Sequence, residues 1–238
     1  MQINLYGKRM DDVDLVVVKD GDSLAINGEL FDFTPLSEGD TLPFGSVASE
    51  WFPDTATVER LNGHLVISLN LPNPWNYSPE QAFPDPLLNV PDGRIEFPQP
   101  LPDGDGNYPG LPPIPETTAT GVIHWDRCIT KAMKDAAADA EHLVLMKTEL
   151  AARNAQSIAQ IARIQDRIDT IGYGIDAGEA TEEDVAEQAA LVASLAAWKG
   201  YKFALGKVTK QPGWHASPVW PVAPAIPVIV ADPEARPA

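Results

Sequence analysis

Few residues in this 238-residue chain have the types and spacing that chemistry requires. Asp103, Asp105 and Asn107 match the first three ligand positions of a calcium loop. Tyr108 stands where that loop needs glycine, and Ile114 where it needs a bidentate glutamate, so a polar turn is the better reading. His124-Trp125-Asp126 beside Cys128 offers a base and a nucleophile, and with them a hydrolase reading. Neighbours in sequence rarely face one another productively and no oxyanion loop is evident, so packing where a helix begins accounts for them better. Glu182-Glu183-Asp184 is an acidic triplet, but acids in a first helical turn serve the helix dipole far more often than catalysis. Gly206-Lys207 resembles a phosphate loop only briefly: the preceding glycine is one residue too far away and Val208 replaces the hydroxyl. His64, His124, His142 and His215 have no zinc spacing. No catalytic residue, cofactor or metal is expected, and the chain reads as a binder rather than an enzyme.

Composition narrows the partner. The formal charge is −17, with an isoelectric point near 4.4. That balance disfavours nucleic acid and anionic membrane surfaces, and favours a basic or neutral partner. One cysteine, Cys128, excludes an internal disulfide and a thiolate zinc site; it is expected to be an inert buried thiol. No apolar run reaches the roughly 18–20 residues that span a bilayer, so no membrane insertion is expected. The N-terminus lacks the apolar core of a signal peptide, so the product is expected in the cytoplasm of the cell that makes it.

The elements that must position any site divide the chain into four stretches and predict an α+β fold. Residues 1–71 read as a small antiparallel β domain of five or six strands. Its turn signals are Asp20-Gly21, Asn27-Gly28 and Asn62-Gly63, which supply the positive φ that tight hairpins need. Residues 72–122 form a proline-rich connector that excludes helix and interior strand. It holds too many aromatics for a solvated linker, so parts of it should lie along a surface, its own domain's or a partner's. Trp75, Tyr77 and Tyr108 are its candidate contacts for glycan or another surface.

Residues 123–210 predict a helical hairpin. A stripe of Val144, Lys147, Ala151, Asn154, Ile158, Ile161, Gln165 and Ile168 runs along the first helix, widened by Leu143, Leu150, Ile164 and Ile171. Its length suits a coiled-coil arm and permits self-association into a homo-oligomer. Gly172, Gly174 and Gly178 break the first helix, and Thr181 with Asp184 caps the second. That second helix shows Leu191, Leu195, Trp198 and Leu205 on one face, and Gln211-Pro212-Gly213 ends it. Residues 211–238 form an extended tail rich in tryptophan and proline.

The C-terminal quarter resembles the tail-fibre assembly proteins of bacteriophages, a chaperone family. The resemblance rests on Gly178-Glu179-Ala180-Thr181-Glu182-Glu183, then Trp198-Lys199-Gly200-Tyr201 with Leu205 and Val208, then Trp220-Pro221-Val222-Ala223-Pro224. Gly200 inside the helix and Gly213-Trp214 before Trp220 depart from the family pattern. The resemblance implies a protein that binds the distal, C-terminal end of a trimeric receptor-binding tail fibre. It helps that fibre trimerise in the host cytoplasm, and in some phages it stays on the virion tail. The implied fibre-binding candidates are Trp198, Tyr201, Leu205, Trp214, Trp220 and Pro221. Trp198 is expected to pack against the long helix; Trp214 and Trp220 must find a groove, either internal or on the fibre. The alternative is a structural virion protein at the fibre tip that contacts host surface polysaccharide.

Overall fold

A computed structural model describes residues 1–11, 13–107 and 110–229. The chain divides into two compact units, Met1–Asp135 and Ala136–Ala238. The first is built on β-strands and the second on helices, so the α+β class holds.

Strands β1 (Gln2–Arg9), β2 (Val17–Asp20), β3 (Ser23–Ile26), β4 (Glu29–Asp32), β5 (Thr41–Leu42), β6 (Val58–Leu61) and β7 (His64–Asn73) occupy the expected β region. All three glycine turns form hairpins: β2 with β3, β3 with β4, and β6 with β7. Asn27 and Gly28 (φ 48° and 86°) and Asn62 and Gly63 (φ 52° and 77°) take the left-handed conformation that such turns need. Glu38 locks the last turn by accepting from the Asn62 and Gly63 amides at 2.7 and 2.8 Å. The strands do not form a purely antiparallel domain. One sheet has the order β1-β7-β6-β5, and β1 runs parallel to β7, Gln2 pairing with Val66 and Arg9 with Asn73.

The expected connector is part of this unit. Strands β8 (Gly93–Arg94) and β9 (Ala119–Thr120) lie at the two edges of the second sheet, ordered β8-β2-β3-β4-β9, with β9 parallel to β4. Prolines confine the segment to edges, as their missing N–H requires, yet several of its other amides pair with the sheets. Leu87 bridges Ile3, and the Ile95 amide donates to the Val17 carbonyl at 2.9 Å. Val90 and Ile95 are buried in the same apolar cluster as Ile3, Val17, Phe31, Phe33 and Ile67. Full burial of each such side chain stabilises by roughly 1.5–3 kcal/mol. Helix is not excluded here either: α1 (Pro79–Ala82) forms one turn, with Pro79 in its first turn, where no amide partner is needed, and Ser78 and Gln81 as a capping box. Gly121 fits because an added Cβ would lie 2.0 Å from the Phe31 ring.

A 3-10 turn at Trp125–Arg127 precedes the long helix α2 (Lys131–Ala177), which therefore starts later than expected. Within the first unit, the Asp40 carboxylate accepts from the Lys131 amide at 2.8 Å, and Lys134 reaches the Gly39 carbonyl and the Thr41 hydroxyl. At the other end α2 passes through Gly172 and Gly174 and stops only where Gly178 turns left-handed at φ 74°. Helix α3 (Glu182–Val208) begins at the expected capping box: Thr181 accepts from the Asp184 amide, and the Asp184 carboxylate accepts from the Thr181 amide. It ends at Val208, before Gln211-Pro212-Gly213.

Candidate functional site

The second unit brings most of the predicted binding residues together, chiefly as its own core. On α3, Leu191, Leu195, Trp198, Tyr201, Leu205 and Val208 are buried. Their spacing of three and four residues keeps them on one helical face. The matching seam on α2 runs through Leu150, Ser157, Ile161, Ile164, Ile168 and Ile171. All of these but Ser157 belong to the expected stripe and its widening, whereas Val144 and Ile158 of that stripe are exposed. Arg167 ties the helices by donating from Nη2 to Glu187 at 2.7 Å and from Nε at 3.3 Å, which raises its pKa. Gln188 donates to the Ile168 carbonyl.

The tail completes this core. Gln211 exchanges two hydrogen bonds with the Val219 backbone, closing a turn that brings His215 to Asp139 at 2.9 Å. Trp214 and Trp220 meet edge to face, their ring centroids 6.4 Å apart, and both are half-buried. The Arg153 guanidinium lies 4.8 Å from the centroid of Trp220, an attractive cation–π placement. The buried Tyr201 hydroxyl beside Arg153 raises its pKa, with Glu149 adding to the effect. Further along, the Trp198 indole N–H donates to the Ala225 carbonyl at 3.3 Å, Arg163 donates to the Pro227 carbonyl at 2.8 Å, and Ile229 enters the core. Trp220 packs against this core, Trp214 packs on Trp220, and both rings keep an exposed part. Trp198 has 0 % of its surface exposed, Tyr201 and Leu205 are also buried, and Pro221 is half-buried. Trp198, Tyr201 and Leu205 are spent on the packing of this unit.

In the first unit, a cleft of about 790 Å³ is lined by Arg9, Asp11, Trp75, Asn76, Gln99 and Asp103, among others. Trp75 is 71 % exposed. Tyr77 is also exposed but does not line the cleft, and Tyr108 lies outside the described residues. Asp103 uses its carboxylate locally, accepting from the Asp105 and Asn107 amides at 3.0 and 2.9 Å. Those bonds hold it below the usual carboxylate value and close a polar turn, as the sequence suggested. Burial, with Asp40 adding to it, pushes the Cys128 thiol up, the reverse of an activated nucleophile. Cys128 itself is half-buried between the 3-10 turn and α2. Among the described residues, no group of three or more His, Cys, Asp or Glu is placed to hold a metal ion. No described helix is long and apolar enough to cross a membrane.

One surface escaped the sequence reading. On the α3 side of the hairpin, an open groove of about 630 Å³ is lined by Ile161, Lys199, Lys202, Phe203, Gly206, Lys207 and Lys210. The signal for it was present in the sequence: no acidic residue occurs from Gln188 through Ala231, in a chain of net charge −17. Comparison of the chain with family models, curated proteins and solved structures found no match.

Proposed function

We propose that this chain is a phage tail-fibre assembly chaperone that binds and caps the distal end of a receptor-binding fibre and assists its trimerisation. It acts by non-covalent binding, without turnover or cofactor, in the host cytoplasm during assembly. One observation carries the reading: every spaced element of the resemblance is spent on one structural unit. Gly178 to Glu183 forms the turn and cap of the hairpin. Trp198, Tyr201, Leu205 and Val208 form its buried seam. Trp220 to Pro224 begins the strap that runs to Ala225 over Trp198. A shared spacing that builds a shared platform is what a family of binders with variable surfaces needs. Unassembled fibre ends expose strand edges and apolar faces, which such a platform can cover. Co-expression with the adjacent fibre gene tests this. The chain should raise the yield of soluble trimeric fibre, and equal yield without it ends the proposal.

A second reading has its own observation. Trp75 projects at 71 % exposure on a cleft that also holds Arg9, Asp11, Asn76 and Gln99. An open indole beside hydrogen-bonding side chains suits a sugar ring, and the cleft volume is in the range of small-ligand sites. This supports a structural protein at the fibre tip that contacts host polysaccharide. Mass spectrometry of purified virions separates the two readings, because absence from the particle removes the structural role.

A further inference from the structure

We infer that the lysine-rimmed groove around Phe203 docks a short acidic peptide segment that carries an apolar anchor. Lys199, Lys202, Lys207 and Lys210 are all exposed, and none forms an ion pair among the described residues. Lys199 and Lys202 are like charges three residues apart on one helix face, an arrangement that weakens the helix unless opposite charge is supplied; Lys207 in the last turn and Lys210 just beyond it add two more cations. This chain has carboxylates in excess, yet among the described residues none pairs with these four lysines. The opposite charge is therefore left to come from a partner.

The apolar part of the groove defines that partner further. Phe203 is 68 % exposed and flanks the half-buried Ile161, with Lys207 Nζ 4.2 Å from its ring centroid. Gly200 in the body of α3 and Gly206 in its last turn lie on either side of Phe203, and glycine lowers helix propensity. An added Cβ at either position would meet nothing within 4 Å, so their own unit does not require the clearance. Together they leave open backbone around an aromatic ring rimmed by cations. An apolar side chain flanked by Asp or Glu matches that surface by shape and by charge. The occupant is short because screening limits a charge's reach to about 8–10 Å at physiological salt. A short acidic segment feels the local lysines, whereas a nucleic-acid duplex or anionic membrane also meets the field of a chain with net charge −17. The inference does not depend on the fibre reading; it specifies the chemistry of any segment that docks here.

The test is fluorescence anisotropy on the full chain. One labelled probe is a peptide of about twelve residues with four glutamates around a central Phe-Leu pair, and the other is its counterpart with Gln for Glu. The acidic probe should bind at least about tenfold more tightly than the neutral one, and should weaken as salt rises. The double variant K202E/K207E should lose about tenfold or more of that affinity, and Phe203→Ser about fivefold. All three positions are exposed, so far-UV circular dichroism should be unchanged. Equal binding of the two probes, no binding, or indifference to K202E/K207E overturns the inference. So does more effective competition by single-stranded DNA or phosphatidylserine vesicles than by unlabelled acidic peptide.

Discussion

At the scale of single residues, Trp198 does two things that can be separated. Its ring is fully buried against α2 and its N–H satisfies the Ala225 carbonyl. Trp198→Ala should lower the stability of the second unit by roughly 3–5 kcal/mol, read by urea unfolding. Trp198→Phe keeps most of the packing but leaves that carbonyl unsatisfied, and should lose about 1–3 kcal/mol. Asp184 is a pH-dependent cap. The Thr181 amide and hydroxyl, and then Arg167, hold its carboxyl below the ordinary 3.8. A depressed folded value gives stability that is present above 3.8 and is lost as pH falls from there through the lower folded value. Asp184→Asn should therefore be the less stable protein near neutrality, and the gap should close below pH 3.8. A gap that is constant with pH would remove Asp184 from this role. The cap was legible in the sequence because it is local: Thr181 and Asp184 are three residues apart and need no tertiary partner. The buried pairing of Trp198 with Ala225 was not, since it spans 27 residues and one member is a backbone carbonyl.

At the scale of elements, hydrophobic periodicity found both long helices and most of the inner seam of α2, but drew the stripe too wide. Ile158 and Ile164 are the same residue type, yet Ile158 is exposed and Ile164 is fully buried. The seam passes through Ser157, a polar residue whose hydroxyl is satisfied by the Asn154 carbonyl at 2.8 Å. Ser157 was missed because it is polar; the expected stripe and its widening otherwise hold the seam's Leu150, Ile161, Ile164, Ile168 and Ile171. Ile158→Ser should change stability by no more than about 0.5 kcal/mol. Ile164→Ala should lower it by roughly 2–5 kcal/mol. The hairpins of the first unit were legible from their Asn-Gly turns. The parallel pairing of β1 with β7 was not, because Gln2 and Val66 meet through tertiary register alone. The same holds for the proline-rich segment, whose strands are only two residues long.

At the scale of the whole molecule, the division into two compact units predicts that each unfolds separately. Gly121→Ala would force a methyl into the Phe31 ring, and should lower the stability of the first unit by about 1–3 kcal/mol. Two denaturation transitions are expected, with Gly121→Ala moving one and Ile164→Ala the other. If both variants move a single shared transition, the units are not independent. Net charge is a coarse guide at this scale: the chain sums to −17, while the groove on α3 is locally cationic. A sum over the chain cannot reveal that acids and bases are segregated along it. The tail has a further consequence, in the order of synthesis. Both helices leave the ribosome before residues 214–229, which close over Trp198 and fill the seam. Translation at about 5–20 residues per second separates Val208 from Ile229 by on the order of a few seconds, whereas helices form within microseconds. Each newly made chain therefore presents an open apolar groove for a brief interval, and its own tail is the nearest segment able to close it.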